Sequence, residues 1–241
     1  MRLSPRTIHI WTGRFSSLIS QGAYCTSTLS SDEIDRASKF VFERDREKFV
    51  AGRYILRTLL ASYLGENPES VQFDYNEFGK PVLSGIARFI FNVSHAEDLL
   101  CIAIAHADPG LQMPRIGVDV EFIDRDIPFS DVAESHFSPE EVHVLRQYED
   151  KRRPFFRCWT RKEAYIKAHG EGVSYGLDVF GVSLAEEDRS AVEFDRTNDR
   201  RDWLIYSWEE YDSYFGALAV DGSRDNIEHR KLEEQVHLLV S

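Results

Sequence analysis

Cysteine is scarce in this sequence: the 241 residues contain three, Cys25, Cys101 and Cys158. Their odd number and wide spacing argue against a disulfide framework, and no two of them have the spacing of a zinc or redox motif. Two lie in apolar runs, where a free cysteine behaves as a small hydrophobic residue. We therefore expect reduced cysteines in the core of a cytoplasmic protein.

Long apolar runs are absent as well. No segment approaches the roughly 20 apolar residues that are needed to cross a bilayer. The first thirteen residues begin with polar side chains and contain only a short apolar stretch, unlike a secretory signal peptide. The sequence therefore predicts no membrane association.

Positive charge is also in deficit. The chain has 29 Lys and Arg against 41 Asp and Glu, a formal net charge of −12. Proteins that bind nucleic acids normally present a basic field, so we expect no nucleic-acid partner. A local basic patch could still bind a small anion.

Apolar residues are plentiful, at 42% hydrophobic and 12% aromatic. This composition is sufficient for a folded core and argues against global disorder. A chain of this length forms either one large domain or two lobes of ordinary size.

The segment IGVDVE, residues 116–121, predicts a short strand with one apolar face. Asp119 and Glu121 then leave the opposite face together, roughly 7 Å apart from Cα to Cα. Two like charges on one face are costly unless a positive charge lies between them. Mg²⁺ is commonly bound by one or two carboxylates together with substrate phosphates. A solvated edge strand is the alternative interpretation.

A helix is predicted from about Arg153 to His169, with Gly170 at its end. Trp159, Glu163 and Lys167 follow one another at four-residue spacing and form one row along it. In that order, Glu163 and Lys167 would also make a favourable surface ion pair, which is the simpler interpretation.

The region 36–57 is basic although the chain as a whole is acidic, with seven basic residues against three acidic ones. Most of it belongs to a helix predicted from about Asp45 to Leu64, ended by Gly65 and Pro68. The basic side chains either form the exposed face of this helix or bind a phosphate. They are Arg36, Lys39, Arg44, Arg46, Lys48, Arg53 and Arg57.

The other segments predict a mixed fold. Residues 89–93 and 99–105 form a predicted hairpin, whose first strand ends at Ser94 and His95. Lys80 precedes Pro81, which favours an extended backbone there. The segment YFGALAV, near residue 217, is similar to LLCIAIA, near residue 102, and this suggests two similar lobes. From about Ser223 onward we expect a polar C-terminal helix.

Taken together, these segments resemble the Sfp-type 4′-phosphopantetheinyl transferases, a family of two-lobed, monomeric enzymes. The order and spacing of the matching motifs agree from about residue 36 to residue 180. The pair formed by GVDVE and the later W-x-x-K-E-x-x-x-K is the most specific part. The motifs are KFVFERDREKFVAGRYILR (39–57), FGKP (78–81), FNVSH (91–95), GVDVE (117–121), FSPEE (137–141) and WTRKEAYIKAHGEGVSYGL (159–177).

The resemblance implies an α+β, pseudo-twofold fold with lobes at residues 1–113 and 114–241. It implies transfer of phosphopantetheine from coenzyme A to a serine of an apo acyl, peptidyl or aryl carrier protein. Adenosine 3′,5′-bisphosphate is the other product. The expected cofactor is Mg²⁺, with Mn²⁺ as a substitute, and the expected location is the cytoplasm.

The resemblance also implies roles for individual residues. Asp119, Glu121 and Glu163 would bind the metal ion, and Lys167 would contact the phosphates of the coenzyme. Glu163 would assist deprotonation of the serine, with Glu141 as the second candidate for this role. The coenzyme phosphates would be contacted by Lys80, Ser94 and His95, and the 3′-phosphate by a subset of Arg36, Arg44, Lys48 and Arg53, of which Arg36 and Arg53 are favoured.

The sequence departs from the family at two points. The basic segment of the family often begins further upstream, where this chain has Ser31, Asp32 and Glu33. The residues after 222 match no motif. Three alternatives stay open: a catalytically inactive coenzyme A-binding protein of the same fold, another coenzyme A enzyme such as an acyltransferase, and an interaction module without chemistry.

Overall fold

A computed structural model describes residues 1–85, 88–107, 115–123, 126–197, 199, 201–222 and 226–235. The helices in these ranges are α1 (Phe15–Ser20), α2 (Ser31–Ala37), α3 (Glu43–Leu64), α4 (Phe129–His136), α5 (Pro139–Leu145) and α6 (Arg152–His169). The strands are β1 (Thr7–Arg14), β2 (Phe73–Tyr75), β3 (Pro81–Leu83), β4 (Phe89–Ala96), β5 (Leu99–His106), β6 (Ile116–Phe122), β7 (Phe180–Val182), β8 (Arg189–Asp195), β9 (Trp203–Glu210), β10 (Tyr214–Asp221) and β11 (Asn226–Lys231). The predicted α+β class is confirmed.

Two sheets organise the molecule. A four-stranded sheet has the order β11-β1-β5-β4, and a five-stranded sheet has the order β6-β10-β9-β8-β7. A separate two-stranded hairpin consists of β2 and β3. All strand pairs in the described ranges are antiparallel except β1 with β11, which are parallel.

Alternation along β5 explains how the layers are stacked. Leu100, Ile102 and Ile104 join the core cluster that contains the apolar face of α3. Leu99 and Cys101 point the other way, into a cluster shared with apolar residues of β6 and β10. Because successive side chains leave a strand on opposite faces, β5 is buried on both sides, as its continuous apolar run predicts. A third cluster joins α6 to β9 and β10.

Each of the two long helices is followed by a glycine. Gly65 follows α3 with φ of 75°, and Gly170 follows α6 with φ of 80°. These left-handed conformations favour glycine and allow the chain to turn out of the helix. Inside α3, Gly52 is not tightly enclosed, because a β-carbon there would lie 3.6 Å from the ring of Phe15, an ordinary contact distance.

The prediction of a polar C-terminal helix is wrong for residues 226–235, and its remaining residues, 223–225 and 236–241, lie outside the described residues. Residues 226–231 instead form β11, which pairs with β1 in register Thr7↔Asn226 to Thr12↔Lys231. Charged side chains of good helix propensity favour a helix here, but the open edge of β1 offers a row of unpaired backbone groups. A short 3₁₀ turn, Glu233–Gln235, follows. The predicted lobe division at residue 113 stays a prediction, and β11 lies in the sheet of the first lobe.

Besides β11, the sequence did not predict four of these elements. They are α1, α4, the short strand β3 and the exposed strand β8. The short α2 begins with a capping box of Ser30 and Glu33. The sequence also predicts loops around Pro109, Gly110 and Pro114 and from Ile123 to Phe129. Residues 109, 110, 114 and 124–125 of these loops lie outside the described residues.

All three cysteines are free. Cys101 and Cys158 are buried in the core, as expected, whereas Cys25 is only half-buried, so the expected core position is wrong for this residue. Among the helices in the described ranges, none combines the length and the apolar character needed to cross a membrane.

Candidate active site

The two carboxylates of β6 lie on the face that α6 covers. Gly117 makes this close approach feasible, since a β-carbon there would lie 2.1 Å from the carbonyl oxygen of Ala164 in α6. Asp119 is 3% exposed, whereas Glu121 is half-buried near the end of the strand. The predicted strand with both carboxylates on one face is therefore present, and a helix rather than solvent lies against that face.

The row of residues on α6 contacts these carboxylates. Trp159 donates from Nε1 to Glu121 Oε1 at 3.1 Å, and Lys167 donates from Nζ to Asp119 Oδ1 at 2.6 Å. Glu163 lies between Trp159 and Lys167 on the same helix face. Lys167 thus pairs across to β6, and the simple surface pair of Glu163 with Lys167 is not the arrangement in the structure.

Burial and mutual repulsion perturb this cluster. Burial raises the pKa of Glu163, and the negative charge of Asp119 raises it further. Burial acts to lower the pKa of Lys167, but the charge of Asp119 and its hydrogen bond outweigh this, so the pKa is raised. The lysine is held protonated, and Glu163 ionises less readily than a free carboxyl group.

Strand β4 supplies the third side of the cluster. Ser94 donates from Oγ to Asp119 Oδ1 at 2.9 Å and accepts from Lys167 Nζ at 2.9 Å. The backbone N–H of Val120 donates to Ser94 Oγ at 3.3 Å, and that of Val118 donates to Asn92 Oδ1 at 2.8 Å. Side chains of β4 therefore satisfy the facing edge of β6 and fix Asp119 in place.

Asn92 is a residue that the sequence alone did not single out. It lies 7% exposed, two positions before Ser94 and on the same face of β4. The signal was present in the sequence, since two polar residues at strand spacing interrupt an apolar run and such residues need partners when buried.

Basic residues meet in a separate pocket of about 560 Å³ between α3, β4 and the β2–β3 hairpin. Arg36, Lys48, Arg53 and His95 line it, together with apolar side chains such as Phe49. Ser94 and His95 are consecutive on β4, so their side chains point to opposite faces. One strand thus connects the carboxylate cluster with the basic pocket.

Internal contacts orient the cations of this pocket. Arg53 forms an ion pair with the buried Glu33 of α2, and its guanidinium lies 4.5 Å from the ring centroid of Phe73. Lys48 donates to the carbonyl oxygen of Glu97 at 2.6 Å. Burial lowers the pKa of His95, and the positive charges of Lys167 and Lys48 lower it further. The acidic Glu33, which departs from the basic pattern of the family, therefore holds an arginine at the pocket wall.

Two of the residues that were predicted to contact the coenzyme, Arg44 and Lys80, do not line the basic pocket. Arg44 has a side chain that is 77% exposed and lies beside Asp45 at 3.7 Å, outside the residues that line the pocket. Lys80 directs its ammonium group to the carbonyl oxygens of Ile116, at 3.1 Å, and of Lys167. The structure brings neither cation to the lining of the basic pocket.

Two family models match the chain in succession. The 4′-phosphopantetheinyl transferase superfamily model matches residues 115–219, and the model of the 4′-phosphopantetheinyl transferase N-terminal region matches residues 16–107. The chain is 38% identical over 220 residues to the 4′-phosphopantetheinyl transferase HetI of a Nostoc species, covering 89% of this chain and 88% of HetI. The chain belongs to the 4′-phosphopantetheinyl transferases.

Relatives from distant organisms agree with this. The 4′-phosphopantetheinyl transferase ffp of Bacillus subtilis is 32% identical, covering 71% of this chain and 79% of ffp. The mouse L-aminoadipate-semialdehyde dehydrogenase-phosphopantetheinyl transferase is 30% identical, covering 82% of this chain and 69% of its own length. The predicted family, transferase class and reaction are confirmed: phosphopantetheine is transferred from coenzyme A to a carrier protein.

Within this transferase, Glu141 has a structural role. Its carboxylate is 2% exposed and accepts hydrogen bonds from the backbone of Ser138 and Val182. It also pairs with the fully buried Lys162 at 2.8 Å. Because this carboxylate is enclosed and fully partnered, Glu141 is unsuited to the role of second candidate base.

The fit of the carboxylate cluster to a divalent metal ion depends on Asp119 and Glu163. In the described ranges, no three His, Cys, Asp or Glu side chains are grouped closely enough, as they stand, to hold a metal ion. However, Asp119 Oδ2 is buried without a hydrogen-bond partner there, and the charge of Asp119 helps to raise the pKa of Glu163. A hard cation prefers carboxylate oxygens. It would give Asp119 Oδ2 a partner and would offset the repulsion between Asp119 and Glu163, so the residues fit Mg²⁺.

Proposed function

We propose that this transferase binds Mg²⁺ through Asp119, Glu121 and Glu163. The observation that carries the proposal is the buried, unpartnered Oδ2 of Asp119 beside a second carboxylate whose pKa is raised. When bound, a divalent cation offsets the negative charge of a diphosphate and polarises the phosphoryl group that is transferred. Mn²⁺, which accepts the same oxygen ligands, would substitute for it.

The basic pocket is the proposed site for the 3′-phosphate of coenzyme A. Arg36, Lys48, Arg53 and His95 line it together with one acidic residue, Asp45, and this excess of basic side chains contrasts with a net charge of −12 for the chain. Charge-assisted hydrogen bonds from guanidinium groups to phosphate are among the stronger polar contacts in proteins. Ser94 and Lys167 then lie on the route from this pocket to the carboxylates, where the diphosphate would be held.

Glu163 is the proposed general base. The serine hydroxyl of the carrier attacks the β-phosphorus, an O–P bond forms, and the bond between the two phosphates breaks to release adenosine 3′,5′-bisphosphate. The hydroxyl proton must leave during attack, and the carboxylate of Glu163, which lies near Asp119 and Lys167, is the group proposed to receive it. Lys167, held protonated, stabilises the negative charge on the diphosphate.

We further propose that the enzyme acts as a cytoplasmic monomer on acyl and peptidyl carriers. The three free cysteines agree with a reducing compartment. Light scattering that gives the mass of a single chain supports the monomer, and the mass of a dimer contradicts it.

The decisive test incubates the protein with Mg²⁺, coenzyme A and a panel of apo carriers from fatty-acid, polyketide and peptide synthesis. Intact mass spectrometry of each carrier measures addition of one phosphopantetheine. Modification of at least one carrier, dependent on both coenzyme A and Mg²⁺, is expected. Tight coenzyme A binding with no modified carrier would instead support the catalytically inactive alternative. Modification that persists unchanged in EDTA would remove the metal from the proposal.

A further inference from the structure

The turn between β2 and β3 has two different faces. On one side, Tyr75, Gly79 and Pro81 line the basic pocket. On the other side, Asn76 and Lys80 reach across to α6 and β6, the two elements that carry Lys167 and Asp119. This short turn therefore touches both parts of the proposed site.

Asn76 and Lys80 contact carbonyl oxygens at the C-terminal end of α6. The last carbonyl oxygens of an α-helix have no partner within the helix, and positive charge beside them is favourable. Lys80 Nζ donates to the carbonyl oxygen of Lys167, in the last turn of α6, and to that of Ile116 at 3.1 Å. Asn76 Nδ2 donates to the carbonyl oxygen of Gly170 at 2.8 Å. The turn thus caps the C-terminus of α6 from outside.

The turn itself is well braced. Asn76 Oδ1 accepts from the backbone N–H of Phe78 at 3.0 Å and of Lys80 at 2.8 Å. Gly170 leaves no spare room, since a β-carbon there would lie 3.1 Å from Asn76 Nδ2 and 3.3 Å from the Lys80 side chain. The turn is therefore held by its own hydrogen bonds and packs closely against the end of α6.

Both the side chain and the backbone carbonyl group of Lys167 are therefore hydrogen-bonded to neighbouring elements. Its ammonium group binds Asp119 and Ser94, and its carbonyl oxygen accepts from Lys80. We infer that the turn 76–80 is a positioning element, which sets the distance between coenzyme bound in the basic pocket and Lys167 on α6. In this arrangement Lys80 and Asn76 are positioning residues, and Lys80 does not bind a phosphate. The inference rests on the proposed binding of coenzyme A in that pocket.

Two variants separate positioning from phosphate binding. Lys80→Met keeps the length of the side chain but removes its donor, and Asn76→Asp keeps the oxygen that braces the turn but removes the donor to Gly170. Lys151→Met, at the opposite end of the same helix, is the matched control. For each protein, calorimetry measures the Kd of coenzyme A and of adenosine 3′,5′-bisphosphate, and a carrier assay measures kcat.

Both variants are expected to lower kcat by about tenfold or more, because small displacements of a catalytic group are costly. Their Kd for both nucleotides should stay within about twofold of the wild-type value, and Lys80→Arg should restore part of kcat. Binding of both nucleotides weakened tenfold by Lys80→Met, with kcat retained, would overturn the inference and make Lys80 a phosphate ligand. Unchanged kcat and Kd in both variants would also overturn it.

Hydrogen exchange gives a readout that is independent of activity. In the free protein, Lys80→Met and Asn76→Asp should each speed exchange in peptides covering residues 164–172, and Lys151→Met should not. Unchanged exchange there in both variants contradicts the inference even if the wild-type enzyme modifies carriers. Failure of the wild type to bind coenzyme A would refute the proposed function and, with it, the inference, whereas unchanged exchange in both variants would refute the inference alone. If Lys80→Met does not fold, Asn76→Asp decides both measurements.

Discussion

At the scale of single residues, Asp119 is held through one of its two oxygens. Oδ1 accepts from Ser94 on β4 and Lys167 on α6, whereas Oδ2 has no partner among the described residues. A buried carboxylate oxygen without a partner is costly, and a bound cation would offset that cost. The side chain is therefore positioned by the protein and left free on one side.

Asp119→Asn tests this arrangement. The variant keeps the shape and the Oδ1 acceptor but loses the negative charge, so we expect carrier modification to fall about 100-fold or more, with the fold retained. Initial rates at saturating Mg²⁺ and circular dichroism measure the two quantities. Asp212→Asn, in the exposed turn between β9 and β10, is the control and should leave the rate unchanged. A variant at Asp119 with the wild-type rate would contradict its role.

At the scale of elements, Gly117 is the position where β6 and α6 come together. A β-carbon at this glycine would lie 2.1 Å from Ala164 O and 2.2 Å from Ala168 N, which are backbone atoms that cannot rotate away. Any larger residue must therefore push the helix outward, and with it Glu163 and Lys167. The identity of one residue in the strand thus sets the position of α6 and of the proposed catalytic residues on it.

Gly117→Ala should lower the free energy of unfolding by about 1–3 kcal/mol or more, since overpacking of a core displaces backbone. It should also lower the rate of transfer at temperatures where the protein is folded. Gly52→Ala is the matched control, because a β-carbon there makes only ordinary contact with Phe15 and removes a helical glycine. Urea unfolding should show a gain of about 0.5–1 kcal/mol for the control. Equal stability of the two variants would be inconsistent with the tight contact.

The pairing of β1 with β11 predicts sensitivity to acid. His9 on β1 is 2% exposed, contacts Tyr63 and lies 3.3 Å from Glu228 on β11. Burial lowers the pKa of His9 to about 4, with a further contribution from Arg230, and Glu228 opposes this. The unfolded chain therefore binds the proton first as the pH falls from about 6.5, and stability decreases towards pH 4. His9→Gln should flatten the dependence of Tm on pH in this window, measured by differential scanning calorimetry.

Elements with a regular apolar period were predictable from the sequence. The long helices α3 and α6, the β4–β5 hairpin and β6 occur close to the predicted residues because burial on one or both faces dictates their patterns. The exposed strands β8 and β11 were not predictable from the sequence, since their polar segments form strands only when a neighbouring strand pairs with them.

The candidate site also contains residues whose positions the sequence predicts and residues whose positions it does not. The strand and helix periods place Asp119 with Glu121 and Glu163 with Lys167. The direction of Lys80, by contrast, depends on which elements lie beside its turn, and a long flexible side chain carries no periodic signal of this kind.

At the scale of the whole molecule, the last described residues complete the first sheet. Leu232 is fully buried, and its backbone N–H donates to the carbonyl oxygen of Thr12 at 2.9 Å. A β-carbon at Gly13 would lie 2.8 Å from the β-carbon of Leu232, so the two segments are in close contact. The two ends of the described chain therefore stabilise each other.

Leu232→Ala should destabilise the protein by about 2–5 kcal/mol, as expected for truncation of a buried leucine. Ile34→Ala, whose side chain is 47% exposed, is the control and should change stability little. Denaturant unfolding followed by tryptophan fluorescence, with Trp11 on β1 as a local probe, measures both. A loss below about 0.5 kcal/mol for Leu232→Ala would show that the C-terminal segment contributes little to the first sheet.

The parallel pair of β1 and β11 has a consequence for the order of synthesis. The two strands lie side by side in the sheet, but Thr7 and its partner Asn226 are 219 positions apart in the sequence. During translation, β1 can pair with β5 as soon as both have left the ribosome, while its other edge stays open until almost the whole described chain has been made. The nascent protein therefore carries an unprotected strand edge for most of its synthesis, which is the interval in which a chaperone would be needed.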